Sequence, residues 1–223
     1  MVEGSSVYVP EHFRETRIDV LRAFVERYPL GTLVATTAQG IEANHIPMQW
    51  LPGSDGGHGL LRGHIARANS LWRQLPAEAP VLAIFIGPDQ YVSPTWYPSK
   101  REHGRAVPTW NYATVHIQGL IRFIEDASWL REQIESLTDD HERERIHRWR
   151  MSDAPEDYIA GMVRAIVGFE IPVSGIVGKF KGSQNRSAAD RAGVAEALHA
   201  AGLPPQDVAQ LAPGAQPAGN QAR

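Results

Sequence analysis

Three short stretches carry the side chains best suited to chemistry. In Gly63-His64-Ile65-Ala66-Arg67-Ala68-Asn69 a strand-like run passes through glycine into the start of a helix. Backbone N–H groups, a helix dipole and a guanidinium fork meet in such a turn, which suits an anion such as a phosphate. A solvated capping turn with a surface arginine is the other reading of the same residues. Asn44-His45-Ile46-Pro47-Met48 puts a polar pair beside an apolar run. Either the histidine is a core residue donating to a carbonyl, or the pair projects into a pocket. Gly178-Lys179-Phe180-Lys181-Gly182-Ser183-Gln184-Asn185-Arg186-Ser187 crowds three basic side chains, glutamine and asparagine between a strand and a capped helix. That run is a solvated face, or it completes an anion, cofactor or nucleic-acid site.

A fourth stretch, Val81 to Gly119, is aromatic. Trp96, Tyr97, Trp110 and Tyr112 fall in or beside a loop marked by Pro94, Pro98 and Pro108, between two apolar runs. Such a loop covers a flat ligand or packs on the core.

Several mechanisms are excluded. With no cysteine the chain has no disulfide, thiolate metal site, iron–sulfur cluster or cysteine nucleophile. The nine histidines include no HExxH pair, and His141 and His147, six apart, do not share a helix face, so no metal site is expected. No GxSxG elbow, phosphate-binding loop or GxGxxG fingerprint is present. A net charge of −3 argues against a protein devoted to gripping phosphate backbones. No run approaches about 18 apolar residues and Met1 to Phe13 lacks a signal-peptide pattern, so no membrane contact and a cytoplasmic location are expected.

The elements that must position these residues follow from periodicity. Thr16 and Asp19 precede a helix with Ile18, Leu21, Phe24 and Val25 on one face, ended by Pro29. Residues 30–37 and 41–51 pair as a hairpin, with Pro47 marking an edge or bulge. Further strands are expected over 59–65, 81–86 (broken at Gly87-Pro88), 111–124, 165–171 and 174–180. Helices are expected from Asn69 or Ser70, from Ser128, from Pro155, and from Ser187 to about Ala200. The chain therefore reads as mainly β with added helices, one domain over residues 1–200. Residues 201–223, rich in Pro, Gly, Ala and Gln, are expected to be a disordered tail.

Five ordered motifs carry a resemblance. They are Tyr8-Val9-Pro10-Glu11-His12-Phe13, the 63–69 turn, Gln90-Tyr91-Val92-Ser93-Pro94 with Trp96-Tyr97, Val107-Pro108-Thr109-Trp110-Asn111-Tyr112, and the 178–186 run. From about Tyr8 to Leu198 they resemble the PaiB family, bacterial FMN-binding negative transcriptional regulators. The resemblance implies an FMN-binding split barrel, an antiparallel barrel of six-stranded type, working as a homodimer with flavin at the subunit interface. It places His64, Arg67 and Asn69 at the FMN phosphate, and His45 and Met48 on a strand against the cofactor. Trp96 and Trp110, with Tyr97 and Tyr112, become the ring-side wall or the dimer seam, and Lys179, Gln184 and Arg186 complete the cofactor site. Asn44 to Met48 stands where flavin oxidases of the wider group carry arginine and lysine, which argues against pyridoxamine phosphate oxidase activity. No catalytic residue is assigned.

The expected function is thus an FMN-binding protein of the PaiB regulatory type. Two alternatives share the fold: a flavin-dependent reductase or oxidase, and a haem-binding or haem-degrading protein using His45, His64 or His116. No helix-turn-helix is present. DNA, if it is a partner, would meet residues 179–191 or 143–150.

Overall fold

The structure is a computed structural model, described here for residues 7–53 and 57–215. In chain order the regular elements are β1 (Arg14–Glu15), α1 (Ile18–Arg27), β2 (Leu30–Thr37), β3 (Gly40–Leu51), β4 (Leu60–Ala66), α2 (Leu71–Gln74), β5 (Ala79–Val92) and α3 (Ser99–His103). They continue with β6 (Thr109–Ile124), α4 (Ala127–Glu142), α5 (Glu156–Arg164), β7 (Ile166–Lys181), α6 (Ala188–Ala200) and α7 (Pro205–Leu211). The strands form a seven-stranded sheet, order β1-β7-β4-β3-β2-β5-β6, and β7 pairs with β6 as well. The strand order therefore returns on itself. The expected class, mainly antiparallel strands with added helices, is the one observed; the seventh strand, β1, is only two residues long.

Prolines mark where long strands change partners. Pro47 faces Leu30 at the end of the β2–β3 ladder, and Met48 to Leu51 then pair with β4. A missing N–H is harmless at that handover, and the Met48 N–H bonds to the Pro29 carbonyl at 2.9 Å. Pro172 faces Leu60 at the end of the β4–β7 ladder, so β7 runs unbroken where two shorter strands were expected. Pro88 also lies beyond the 81–84 segment that pairs with β2, which lets β5 continue through Gly87-Pro88 instead of breaking there.

The chain divides into two compact units, and β5, β6 and β7 each run from one into the other. One unit comprises Arg22–Phe85 and His116–Ile176. Its alternating strands bury Leu33, Met48, Leu61, Phe85, Ile117, Ile121, Phe169 and Ile171. Gly63 has no space for a side chain, since a Cβ there would lie 2.7 Å from Phe169 Cζ and 3.0 Å from the Pro47 carbonyl oxygen. Helix α4, capped by Asp126 through the Trp129 N–H, is tied to β7 by Trp129 Nε1 donating to Glu170 at 3.0 Å.

The other unit comprises Met1–Leu21, Ile86–Val115 and Val177–Arg223. Its apolar cluster joins Val92 and Tyr97 to Val194, Leu198, Val208 and Leu211. The expected disordered tail is corrected here over α7. Pro204 and Pro205 start the helix, and Val208, Leu211 and Ala212, spaced three and four apart, bury one face against α6. Residues 216–223 of that expected tail lie outside the described residues. No helix among the described residues is long and apolar enough to cross a membrane.

Candidate functional site

The unit that holds β2, β3 and β4 contains five of the expected site residues: His45, Met48, His64, Arg67 and Asn69. Asn69 at the end of the β4–α2 turn donates from Nδ2 to Asn44 Oδ1 at 2.7 Å, which fixes the turn against β3. Its Oδ1 accepts the Leu71 N–H at 3.0 Å and so opens α2. His45, exposed on β3, holds Nδ1 against the Thr32 hydroxyl at 2.9 Å. His64, half-buried on β4, has Nδ1 2.8 Å from Gln133 Oε1. An amide oxygen only accepts, so His64 donates from Nδ1 and its neutral tautomer leaves Nε2 as an acceptor. Met48 is buried one residue past Pro47.

Arg67 is engaged throughout. Its Nε donates to the Arg164 carbonyl at 2.9 Å, Nη2 to the Ile166 carbonyl at 3.0 Å, and Nη1 to the Glu125 carboxylate at 2.5 Å. The Trp72 ring lies 5.6 Å from the guanidinium carbon. This fork staples the β4–α2 turn to the end of α5 and the start of β7.

The remaining expected residues lie in the other unit and behave differently. Gln184 closes its own turn, donating to the Phe180 carbonyl and accepting the Gly182 N–H. Trp96, half-buried, packs against the apolar cluster of α6 and α7. Trp110 is 53% exposed, with Tyr91 edge-on at 5.9 Å between ring centroids. Lys179 donates to the Tyr8 carbonyl at 3.1 Å and sits 5.4 Å from the Tyr112 ring centroid. Arg186 makes no ion pair or side-chain hydrogen bond among the described residues; it stacks 4.7 Å from the Tyr97 ring centroid.

Lys181, Asn111, Ser183 and Asp190 complete this region; Lys181 and Ser183 stand in the basic run and Asn111 in the 107–112 motif, and none of the four was expected to hold the cofactor. Lys181 Nζ donates to Thr109 Oγ1 and to the Trp110 carbonyl, both neutral acceptors. Burial first, and then the charges of Lys179 and Arg186, hold its pKa below the usual lysine value. Asn111, fully buried, donates from Nδ2 to Ser183 Oγ at 2.9 Å and to the Leu211 carbonyl at 2.8 Å. The alternation Asn111, Ala113, Val115, Ile117 marked it in sequence as a polar residue on a buried face. Asp190 receives the Ser99 N–H at 3.1 Å and the Ser99 hydroxyl at 2.8 Å. Nothing local signals a partner 91 residues away.

Comparison with known proteins agrees with the motifs. Residues 7–175 match the family described as "Putative FMN-binding domain". The "Protease synthase and sporulation protein PAI 2" of Bacillus subtilis is 33% identical over 192 residues, covering 86% of this chain and 89% of that protein. Among solved structures, the flavocytochrome Anf3 of Azotobacter vinelandii superimposes with a TM-score of 0.56 at 13% identity, over 79% of this chain and 73% of that one. The FAD and heme binding protein of Mycobacterium smegmatis gives 0.56 at 16%, over 76% and 73%. At such identities these two likenesses speak to the fold alone. The matched span and the Bacillus relative decide the family: this chain belongs to the PaiB group of FMN-binding domain proteins.

Proposed function

We propose that the protein holds FMN on the β3–β4 face and uses the bound cofactor for regulation, as a homodimer in the cytoplasm. The observation that carries the flavin part is the meeting of β3 with the β4–α2 turn through Asn44 and Asn69. His45 on β3 and His64 on β4 each have one ring nitrogen held and the other left for a ligand. This set fits the hydrogen-bonding edge of a flavin and its ribityl hydroxyls. It does not offer a free guanidinium to the phosphate, so Arg67 is withdrawn from the ligands. FMN, when bound, supplies a ring that accepts one or two electrons, while the side chains bind and orient it.

Two features support the remainder of the reading. The Bacillus relative is named for protease synthesis and sporulation, which are regulated processes. The exposed Trp110 and Tyr91 form an apolar pair of the kind that a second copy would cover. Titration of FMN followed by flavin fluorescence tests the first claim, with His64→Ala and Asn69→Ala expected to weaken binding. A wild-type protein that leaves FMN fluorescence unchanged removes the flavin reading. Light scattering on the purified protein tests the dimer, and sustained oxidation of a reduced nicotinamide by the FMN-loaded protein would replace regulation with turnover.

A further inference from the structure

We propose that the cavity between the start of β6 and the β7–α6 turn is a binding site for a phosphate dianion, free or as the end of a monoester, held by Lys181 and Arg186. The cavity measures about 150 Å³ and lies wholly within one unit, lined by Tyr97, Thr109, Asn111, Lys181, Ser183 and Arg186 among others. It falls below the roughly 300 Å³ at which sites for whole drug-sized ligands begin, so it suits a compact anionic group and not a flavin ring.

Its donors are cationic and lack a counter-charge. Lys181 and Arg186 have no carboxylate partner among the described residues, and Lys179 stands close enough to depress Lys181. The two acceptors that Lys181 reaches are a hydroxyl and a carbonyl, which leave its charge uncompensated and one N–H unassigned. Arg186 keeps all its donors, presented on the face of Tyr97. A guanidinium fork and an ammonium converging without a counter-ion are the donor set that a phosphate dianion satisfies.

Two further observations point the same way. Ser183 adopts φ +63°, a left-handed conformation that a residue with a side chain adopts only at an energetic cost. That strain shapes the turn carrying Arg186, whose N–H bonds to the Ser183 carbonyl at 2.9 Å. Tyr97, only 1% exposed, is among the residues lining the cavity, and its hydroxyl has no hydrogen-bond partner in the protein. A buried hydroxyl without a partner costs free energy that a bound group or water recovers.

The site does not depend on flavin binding, and the test separates the two. The full-length chain is titrated by calorimetry with inorganic phosphate, with FMN and with riboflavin, in the wild type and in Arg186→Gln and Lys181→Met. The expected result is phosphate binding that weakens at least tenfold in each variant, with an unchanged circular dichroism spectrum. FMN binding that exceeds riboflavin binding, by a margin lost in the variants, names FMN as the source of the phosphate. Equal binding of the two flavins, with phosphate affinity still dependent on Arg186, names a free phosphate or another monoester. Failure of both flavins while phosphate still binds overturns the flavin reading and leaves the anion site standing. Absence of phosphate binding together with an FMN preference untouched by either variant overturns the proposal.

Discussion

The turn that follows β4 and the turn that follows β7 both carry an arginine, an asparagine and the start of a helix. In the first, the single arginine has each of its three nitrogens bonded inside the protein, two of them to backbone carbonyls of the α5–β7 junction. In the second, the polar residues that hold structure are neutral or acidic, Asn111 and Asp190, while Lys181 and Arg186 are left without counter-charges. The difference teaches that a basic turn acts as a fastener when carbonyls lie within its reach, and as a receptor when its cations converge on empty space.

The largest expected effect breaks the fastener. Arg67→Ala removes a charged donor from the Arg164 and Ile166 carbonyls, and should cost about 2–3 kcal/mol of stability in urea unfolding. Its pair with the exposed Glu125 adds little to that figure. Phosphate affinity should not change; a stable variant with lost phosphate or FMN affinity would return the first turn to the ligand set. Next comes Asn111→Ala, which strips a buried donor from Ser183 and from the last turn of α7. About 2 kcal/mol and faster amide exchange across residues 205–211 are expected. Unchanged exchange would mean that Val208 and Leu211 hold α7 alone.

Much of this fold is legible in sequence because its signals are local. The β2–β3 hairpin, the Ser187 cap and the period of β6 were readable from neighbours in the chain. What escaped depends on distant partners. Pro88 and Pro172 look like strand breaks until the ladders they terminate are known. The polar composition around α7 hid a three-residue apolar stripe that has value only against α6. In the site, Asn69 bonds to Asn44 of β3, while the engagement of Arg67 was invisible in sequence. Its partners are carbonyls nearly 100 residues away, and any residue type presents a carbonyl. Lys181 was hidden by the same logic, since desolvation cannot be read from a run of charges.

Smaller effects sharpen the receptor half of the comparison. Arg186→Gln loses only the stacking on Tyr97, about 0.5–1 kcal/mol at a surface site, so stability should move by no more than that. Phosphate affinity, by contrast, should fall tenfold, about 1.4 kcal/mol. An arginine that contributes more to binding than to folding marks a receptor. The opposite ratio would make both turns fasteners and erase the distinction.

Lys181→Met gives the smallest change at neutral pH, because the methionine loses two hydrogen bonds but also removes an ammonium held against burial and two neighbouring cations. The pH dependence isolates the second effect. The folded protein binds this proton more weakly than the unfolded chain does, so the folded pKa lies below the usual lysine value of 10.5. Between those two values the unfolded state carries more protons, and wild-type stability rises with pH there relative to the methionine variant. Below the folded pKa the difference is flat. Denaturation of both proteins at a series of alkaline pH values measures that slope. A saturating phosphate supplies the missing counter-charge, raises the folded pKa and should flatten or reverse it. A slope that is absent without phosphate would mean that Lys181 is already compensated, and the second turn would then lose its claim to be different from the first.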